Sequence, residues 1–399
     1  MHQQKKGEIG MKKVIIFTSG AAGGQTSITN ALTESLSQDY TVSTISFFYQ
    51  LLAPLDIAHR NNAEGMYNWI AFKKWNWFTN RIFFNAAIYY YRLRRKKILS
   101  LIREYLIQEQ PIAVISVIPF VNSEIFQITQ ELNIPFLIFS ADLDPATYLT
   151  HIKNTSSHNF YLGLPFFDET FNPLLAKHQI PQKQVIVTGY PMRSDFTEPK
   201  NKPLLREKFS IPKNKPVILV LLGSQGTQTL PTLINKIYQI ASPAHMLICT
   251  GKAEHLAKKI KKIPLPSHLS MQIIGYTNQI ADLMAASDLF VTKSGSVSVS
   301  EALYMNLPML LDATSEVLVW EQFNHDFIQK NHLGSSAASL EEIVLEIDAL
   351  LLDKRNLALI RNNIRLFEKK QGNKAVKQII DQMTVKTRAK TPLLFTHKS

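Results

Sequence analysis

The sequence predicts an α/β protein built from two doubly wound lobes that face each other across a cleft. Three observations point there. The 399 residues exceed what a single hydrophobic core usually serves. Short β-branched and apolar runs alternate with helical patterns along most of the chain, the rhythm of parallel strands covered by helices. Near the middle, "TEPKNKPLLREKFSIPKNKPV" (Thr197 to Val217) is rich in Pro and Lys and breaks that rhythm, as a linker between two similar halves would.

The expected strands are 13–18, 41–48, 112–118, 135–139 and 185–188 in the first half, and 216–222, 245–250, 271–274, 288–292 and 308–311 in the second. Apolar stripes at 121–132, 277–286 and 343–352 read as core faces of helices. "SLEEI" opens a helix after Leu340 in the manner of a capping segment. The resulting division is an amino-terminal lobe at 11–196 and a carboxyl-terminal lobe at 216–370. A helix at 371–384 could return to the first lobe, and 385–399 reads as a disordered basic tail. In open sheets of this kind ligands bind beyond the carboxyl ends of the strands, which here would face the cleft.

Composition narrows the function classes. Hydrophobic residues make up 45%, ordinary for a globular protein, and the single cysteine, Cys249, excludes an internal disulfide and suits a reducing compartment. No apolar run reaches the roughly 18 residues that span a bilayer, and the basic start "MHQQKKGEIGMKKVIIF" leads into a strand-length run rather than a signal peptide. Net charge is +13, which attracts anionic partners. The excess is concentrated between Arg60 and Arg103, where Glu64 is the one acidic residue and where Trp69, Trp75 and Trp77 also lie. Trp and Tyr favour the lipid headgroup region, and Arg92, Arg94 and Arg95 would meet anionic lipid. This segment therefore reads as an interfacial patch, against the plainer alternative of a core helix with a solvated basic end; no RNA-binding motif accompanies it.

Two turns carry the chemistry of the second half. "VILVLLGSQGTQTL" runs from a strand into Gly223-Ser224-Gln225-Gly226, where small residues let backbone N–H groups approach an anion. "DLFVTKSGSVSVSEALYMNLPMLL" runs from a strand through Lys293-Ser294-Gly295-Ser296 into a helix, whose amino terminus presents unpaired N–H groups and partial positive charge. Glu301, about one turn into that helix, could accept two hydrogen bonds from a ribose diol. Each turn alone reads as an ordinary strand-to-helix connection; the pair, with Glu301 and the downstream "VWEQFNHDF", points to a nucleotide site.

On these residues the sequence resembles the MurG and monogalactosyldiacylglycerol synthase family of two-lobed (GT-B) glycosyltransferases. "GSQG" is similar to the MurG loop, "SGSVSVSEALYMNLPMLL" to the family's serine-, glutamate- and Leu-Pro-containing block, and "GYPMRSDF" to its Gly-x-Pro-x-Arg segment. "TKSG" and "SADLD" lean toward the diacylglycerol enzymes. The resemblance is most specific over 217–334. It implies inverting transfer of a hexose from a UDP-sugar to a membrane lipid, with diacylglycerol as the leading acceptor, on the cytoplasmic face of the cell membrane.

The resemblance also implies that Glu301 holds the ribose and that Ser224, Gln225, Gly226, Ser294, Gly295 and Ser296 surround the diphosphate. Tyr276 and Thr277 would border the uracil, Arg193 and Lys293 would meet the phosphates, and Glu321, Gln322 and Asn324 would face the donor sugar. A helix-dipole diphosphate site with Arg193 and Lys293 leaves no task for a metal, so none is expected, nor any other cofactor, although Asp142-Leu143-Asp144 spells a familiar metal pattern.

Two departures bear on mechanism. The sugar-reading motif of the galactolipid enzymes, Gln-Glu-x-x-Asn, is Trp320-Glu321-Gln322-Phe323-Asn324 here, which leaves donor identity open. Family members place a histidine base at the end of the first Gly-rich turn, where this chain has Gly20-Ala21-Ala22-Gly23-Gly24-Gln25. A glutamine amide orients a hydroxyl but does not take its proton. Asp142, following the strand 135–139, is the first candidate for the base, with Asp144 and His151 behind it. Three other readings stay open: N-acetylglucosaminyl transfer to an undecaprenyl-linked precursor, a catalytically silent nucleotide-sugar or lipid-binding relative, and a sugar-nucleotide epimerase.

Overall fold

The computed structural model of the protein describes residues 12–19, 23–55, 77, 79–156, 159–223 and 227–390. Its frame is two six-stranded parallel sheets. The first has the order β2-β1-β3-β4-β5-β6, from β1 (Lys13–Thr18), β2 (Thr41–Ser46), β3 (Ala113–Ser116), β4 (Phe136–Phe139), β5 (Phe160–Leu164) and β6 (Val185–Val187). The second has the order β12-β11-β10-β7-β8-β9. It comprises β7 (Val217–Leu221), β8 (Ala244–Gly251), β9 (Leu269–Gly275), β10 (Leu289–Thr292), β11 (Met309–Asp312) and β12 (Gly334–Ala337). Central strands such as β3, β4, β7 and β10 are buried along their whole length, as expected where helices cover both faces.

The helices that place the site are α1 (Gly23–Leu36), α2 (Phe84–Glu109), α3 (Asn122–Glu131), α4 (Asn172–Lys177), α5 (Lys202–Lys208), α6 (Leu230–Ile237), α7 (Glu254–Ile260), α8 (Ile280–Ala286), α9 (Ser296–Tyr304), α10 (Val319–Lys330), α11 (Leu340–Leu352), α12 (Lys354–Leu366) and α13 (Gly372–Lys390). Ser339 caps α11 by accepting from the Glu342 amide at 3.1 Å, as the capping segment predicts.

Three expectations need correction. Strands β5 and β12 lie outside the expected set: "FYLGL" contains Gly163 and runs into Pro165, and "GSSA" carries almost no apolar signal. The Pro- and Lys-rich linker is partly structured. Asn201 caps α5, and the cations of this stretch dock on the second lobe: Lys202 and Arg206 each lie 2.6 Å from Asp288, while Lys200 and Lys208 reach Asp282 at 2.9 and 2.8 Å. The basic tail begins later than 385, because α13 continues to Lys390.

The lobes meet along several contacts. Phe166 stacks on Phe327 with ring centroids 5.6 Å apart, Phe171 lies 5.0 Å from Phe323, and Lys330 pairs with Asp168 at 2.9 Å. After α12 the chain crosses back to the first lobe. Gly189 has φ +79°, and a Cβ there would stand 2.2 Å from the Lys370 carbonyl oxygen; a Cβ on Gly372 would meet the backbone of Tyr190 and Pro191 at 2.5 Å. Only glycine admits this backbone crossing. Beyond it, α13 buries Val376, Ile379, Ile380 and Met383 and packs along α1, with Lys377 paired to Asp39 at 3.2 Å.

Candidate active site

The turn after β10 is the centre of the site. Gly295 precedes α9 in extended backbone, and no side chain caps the helix, so its first N–H groups are available to an anion. Glu301 lies further along α9 and is only 8% exposed. Burial pushes its carboxyl up to about 8; Arg193 opposes that shift and Asp195 adds to it. Among the described residues no group donates a hydrogen bond to it. Arg193 comes from the first lobe, on the segment after β6, and pairs with Asp195 at 3.4 Å, while its Nε is buried without an acceptor. A buried carboxyl without donors and a buried guanidinium N–H without an acceptor are both expensive. A ligand carrying hydroxyls and phosphates would meet both needs.

Helix α10 supplies the second wall. Glu321 and Asn324 stand three residues apart, hence on one face, and both are buried. Glu321 accepts from Lys293 Nζ at 3.1 Å and from Ser294 Oγ at 3.5 Å. Asn324 donates to the Ser294 carbonyl and, at 3.1 Å, to Ser296 Oγ. Gln322, expected beside the donor sugar, is instead exposed, because its position on the helix turns it away from the Glu321–Asn324 face.

The first lobe presents Asp142 across the cleft. Its Oδ2 accepts from the Tyr148 hydroxyl at 3.1 Å and its Oδ1 from Ser296 Oγ at 3.3 Å. Burial first, and then the facing Glu321 carboxylate, raise Asp142 to about 7, with the two hydroxyl donors pulling the other way. A carboxyl near neutrality in a cleft suits a general base. Tyr190 lies beneath and donates to the Ala141 carbonyl at 3.0 Å. Both tyrosines are fully buried supports that sequence reasoning left unassigned; the signal available was their place inside "SADLDPATYL" and "GYPMR".

Gln25 stands in the first turn of α1, and its side-chain carbonyl accepts from Ser19 Oγ. The adjacent Gly24 lies so close to α9 that a Cβ would meet Val297 Cγ2 at 2.8 Å, so the amino termini of α1 and α9 abut across the cleft. Tyr276, at the end of β9, is exposed with Lys252 5.2 Å from its ring centre, and Thr277 accepts from the Gln279 amide at 3.1 Å. Ser224, Gln225 and Gly226 lie outside the described residues, as do Gly20 to Ala22, Trp69 and Trp75.

Asp144 and His151 do not join the cluster. Asp144 caps the Ala146 amide at 2.8 Å, so the Asp-x-Asp pair is divided between separate tasks. Among the described residues no cluster of His, Cys, Asp and Glu has metal-binding geometry. His151 meets Arg92 at 3.3 Å and lines a groove of about 380 Å³ with Arg95, Lys153 and residues of α3, on the outer side of the first lobe. Along α2, Arg92, Arg94, Lys96 and Lys97 are exposed, as are Tyr89 and Leu93; Trp77, just before it, is half exposed. Arg95 is held by Glu124 at 3.0 Å and Gln127 at 2.8 Å. Among the described residues no helix is long and apolar enough to cross a membrane.

Residues 217–383 match the family described as the glycosyltransferase family 28 C-terminal domain. The turn after β10, Glu301 and the Glu321–Asn324 face all lie within the matched segment. The chain is 24% identical over 257 residues to a processive diacylglycerol beta-glucosyltransferase of Staphylococcus carnosus (strain TM300), covering 63% of this chain and 62% of that one. It is 26% identical over 195 residues to a UDP-N-acetylglucosamine–N-acetylmuramyl-(pentapeptide) pyrophosphoryl-undecaprenol N-acetylglucosamine transferase of Acetivibrio thermocellus (strain ATCC 27405), covering 46% and 52%. The chain therefore spans less than two thirds of the length of these relatives. In fold it is similar to MurG of Acinetobacter baumannii, with a TM-score of 0.63, 15% identity and coverage of 93% of this chain and 99% of that one. The architecture is GT-B.

Proposed function

We propose that the protein is an inverting glycosyltransferase that moves a hexose from a UDP-sugar to a membrane lipid, with diacylglycerol as acceptor. The observation that carries this is Glu301, buried beside Arg193 with no donor among the described residues, behind the open amino terminus of α9. The ribose diol would supply the two missing donors, and the α9 amides would take the diphosphate. The Staphylococcus carnosus relative supports the acceptor class.

In this reading the departing UDP charge is met by the α9 dipole, Arg193 and Lys293, groups that supply the positive charge a divalent cation would otherwise bring. Glu321, held by Lys293, accepts from donor-sugar hydroxyls. Asp142 takes the acceptor hydroxyl's proton as that oxygen attacks the anomeric carbon and the bond to UDP breaks on the opposite face. Gln25 orients the acceptor. The exposed aromatic and basic surface of α2 rests on anionic lipid at the cytoplasmic face, bringing the cleft mouth to its acceptor.

The Acetivibrio thermocellus relative favours a second reading, N-acetylglucosaminyl transfer to an undecaprenyl-linked precursor. A donor panel on vesicles of phosphatidylglycerol and diacylglycerol, or of the undecaprenyl precursor, separates the two. The first reading expects a glycosyl-diacylglycerol from one UDP-hexose, at a rate rising with pH through about 7 and lost in Asp142→Asn. Transfer of N-acetylglucosamine to the undecaprenyl precursor alone would establish the second. UDP binding with no transfer until Gln25→His is introduced would mean a silent relative.

A further inference from the structure

We propose that Ser296 and Asn324, both on the carboxyl-terminal lobe, are positioning residues for Asp142, so that the candidate diphosphate turn of one lobe holds the candidate base of the other. This deepens the reading above and rests on it for the role of Asp142. A serine hydroxyl has one proton to give and two lone pairs. At Ser296 all three are used. The Leu143 amide donates to Oγ at 3.2 Å and Asn324 Nδ2 donates to it at 3.1 Å, while its own proton goes to Asp142 Oδ1 at 3.3 Å. Ser296 thus grips Asp142 by its side chain and the next residue by its backbone.

The orientation of Asn324 is dictated by its neighbours. The Ser294 carbonyl only accepts, so the face of the Asn324 amide turned toward it must be the NH₂ group. That leaves Oδ1 buried with no partner, a cost of the kind tolerated where a side chain is committed elsewhere. Asn324 is 0% exposed, so as the site stands it serves the turn and not the sugar. On the far side Tyr148 completes the Asp142 carboxylate. The chain Asn324–Ser296–Asp142–Tyr148 crosses the cleft through three buried groups and the partly buried Asp142, a setting in which hydrogen bonds are strong and their loss is felt.

The consequence differs from that of a diphosphate ligand. Were the Ser296 hydroxyl a phosphate donor, removing it would weaken UDP binding. As a positioning group whose proton already goes to Asp142, its removal lowers turnover and leaves the backbone amides of α9 to hold UDP. Ser296→Ala in the full chain is expected to lower kcat roughly tenfold or more, the usual effect of losing a hydrogen bond to a charged partner, with UDP affinity within about twofold of the parent. Ser296→Thr, which keeps the hydroxyl, is expected to recover most of the rate.

The closing experiment pairs these kinetics with hydrogen-exchange mass spectrometry on the ligand-free protein, following the segment 140–149. Exchange at the Leu143 amide should quicken roughly tenfold in Ser296→Ala and in Asn324→Ala, and return in Ser296→Thr. Unchanged exchange in both alanine variants would overturn the positioning claim. So would a loss of UDP affinity in Ser296→Ala with kcat intact. If one alanine variant fails to fold, the other still decides the matter. Absence of any sugar transfer by the parent chain would sink the functional reading alone, because the exchange result concerns the ligand-free cleft.

Discussion

Glu301→Gln should stabilise the ligand-free protein, and more so at pH 7.5 than at pH 5. The buried carboxyl titrates near 8 in the folded chain, against an ordinary value of 4.5. Between those values the folded chain retains a proton that the unfolded chain has released, so stability falls as pH rises from 4.5 to 8 and the group contributes nothing below 4.5. The full difference corresponds to about 5 kcal/mol, of which about 3 kcal/mol accrues between pH 5 and 7.5. Glutamine keeps the shape and abolishes the titration. At roughly 2–4 °C per kcal/mol, the variant's Tm advantage over the parent should grow by roughly 6–12 °C between those pH values. Differential scanning calorimetry at pH 5, 6 and 7.5 reads it directly. The same variant should bind UDP about tenfold more weakly, because a glutamine amide offers one acceptor oxygen where the carboxyl can offer two to the ribose diol. An advantage that is equal at both pH values, or reversed, would refute the claim that this carboxyl is buried without donors; undiminished UDP affinity would refute its assignment to the ribose.

Two further predictions concern the frame and the surface. Burial alone would raise Asp288, but Lys202, the Val217 amide and Arg206 outweigh it and hold its pKa below the ordinary value. Its contribution is therefore present above about pH 4 and lost as pH falls below it. Asp288→Ala would leave Lys202 only the Ser287 carbonyl and Arg206 only the Ala286 carbonyl, and should cost about 2–3 kcal/mol near neutral pH, measured as a shift of the denaturation midpoint. On α2, Tyr89→Asp with Leu93→Asp should lower co-sedimentation with phosphatidylglycerol vesicles at least about tenfold and leave UDP affinity unchanged; equal sedimentation would remove α2 from the membrane contact.

What could be read ahead of the structure was what local chemistry encodes. Strands β7 and β10 are uninterrupted runs of apolar and β-branched residues that give way to small and polar ones, so both strands and the start of α9 were legible to within about a residue. β12 was not, because "GSSA" is a strand only by virtue of pairing with β11. The docking of α5 depends on Asp282 and Asp288, about eighty residues downstream, and no local pattern reports that. At the site, the positions of Glu301 and Glu321 followed from motif spacing, whereas the orientation of Gln322 followed from helical phase, which the motif hides. The link from Ser296 to Asp142 spans 154 positions and exists only where the lobes touch.

The return of α13 makes the amino-terminal lobe a composite of two separate stretches of chain. Its helix α1, which carries Gln25, owes part of its cover to the nineteen residues of Gly372–Lys390. Neither half of the molecule can then be excised with one cut. A fragment ending at the linker would expose the surface of α1 and β3 that α13 covers, so any attempt to study that half alone must supply the helix in trans or by fusion.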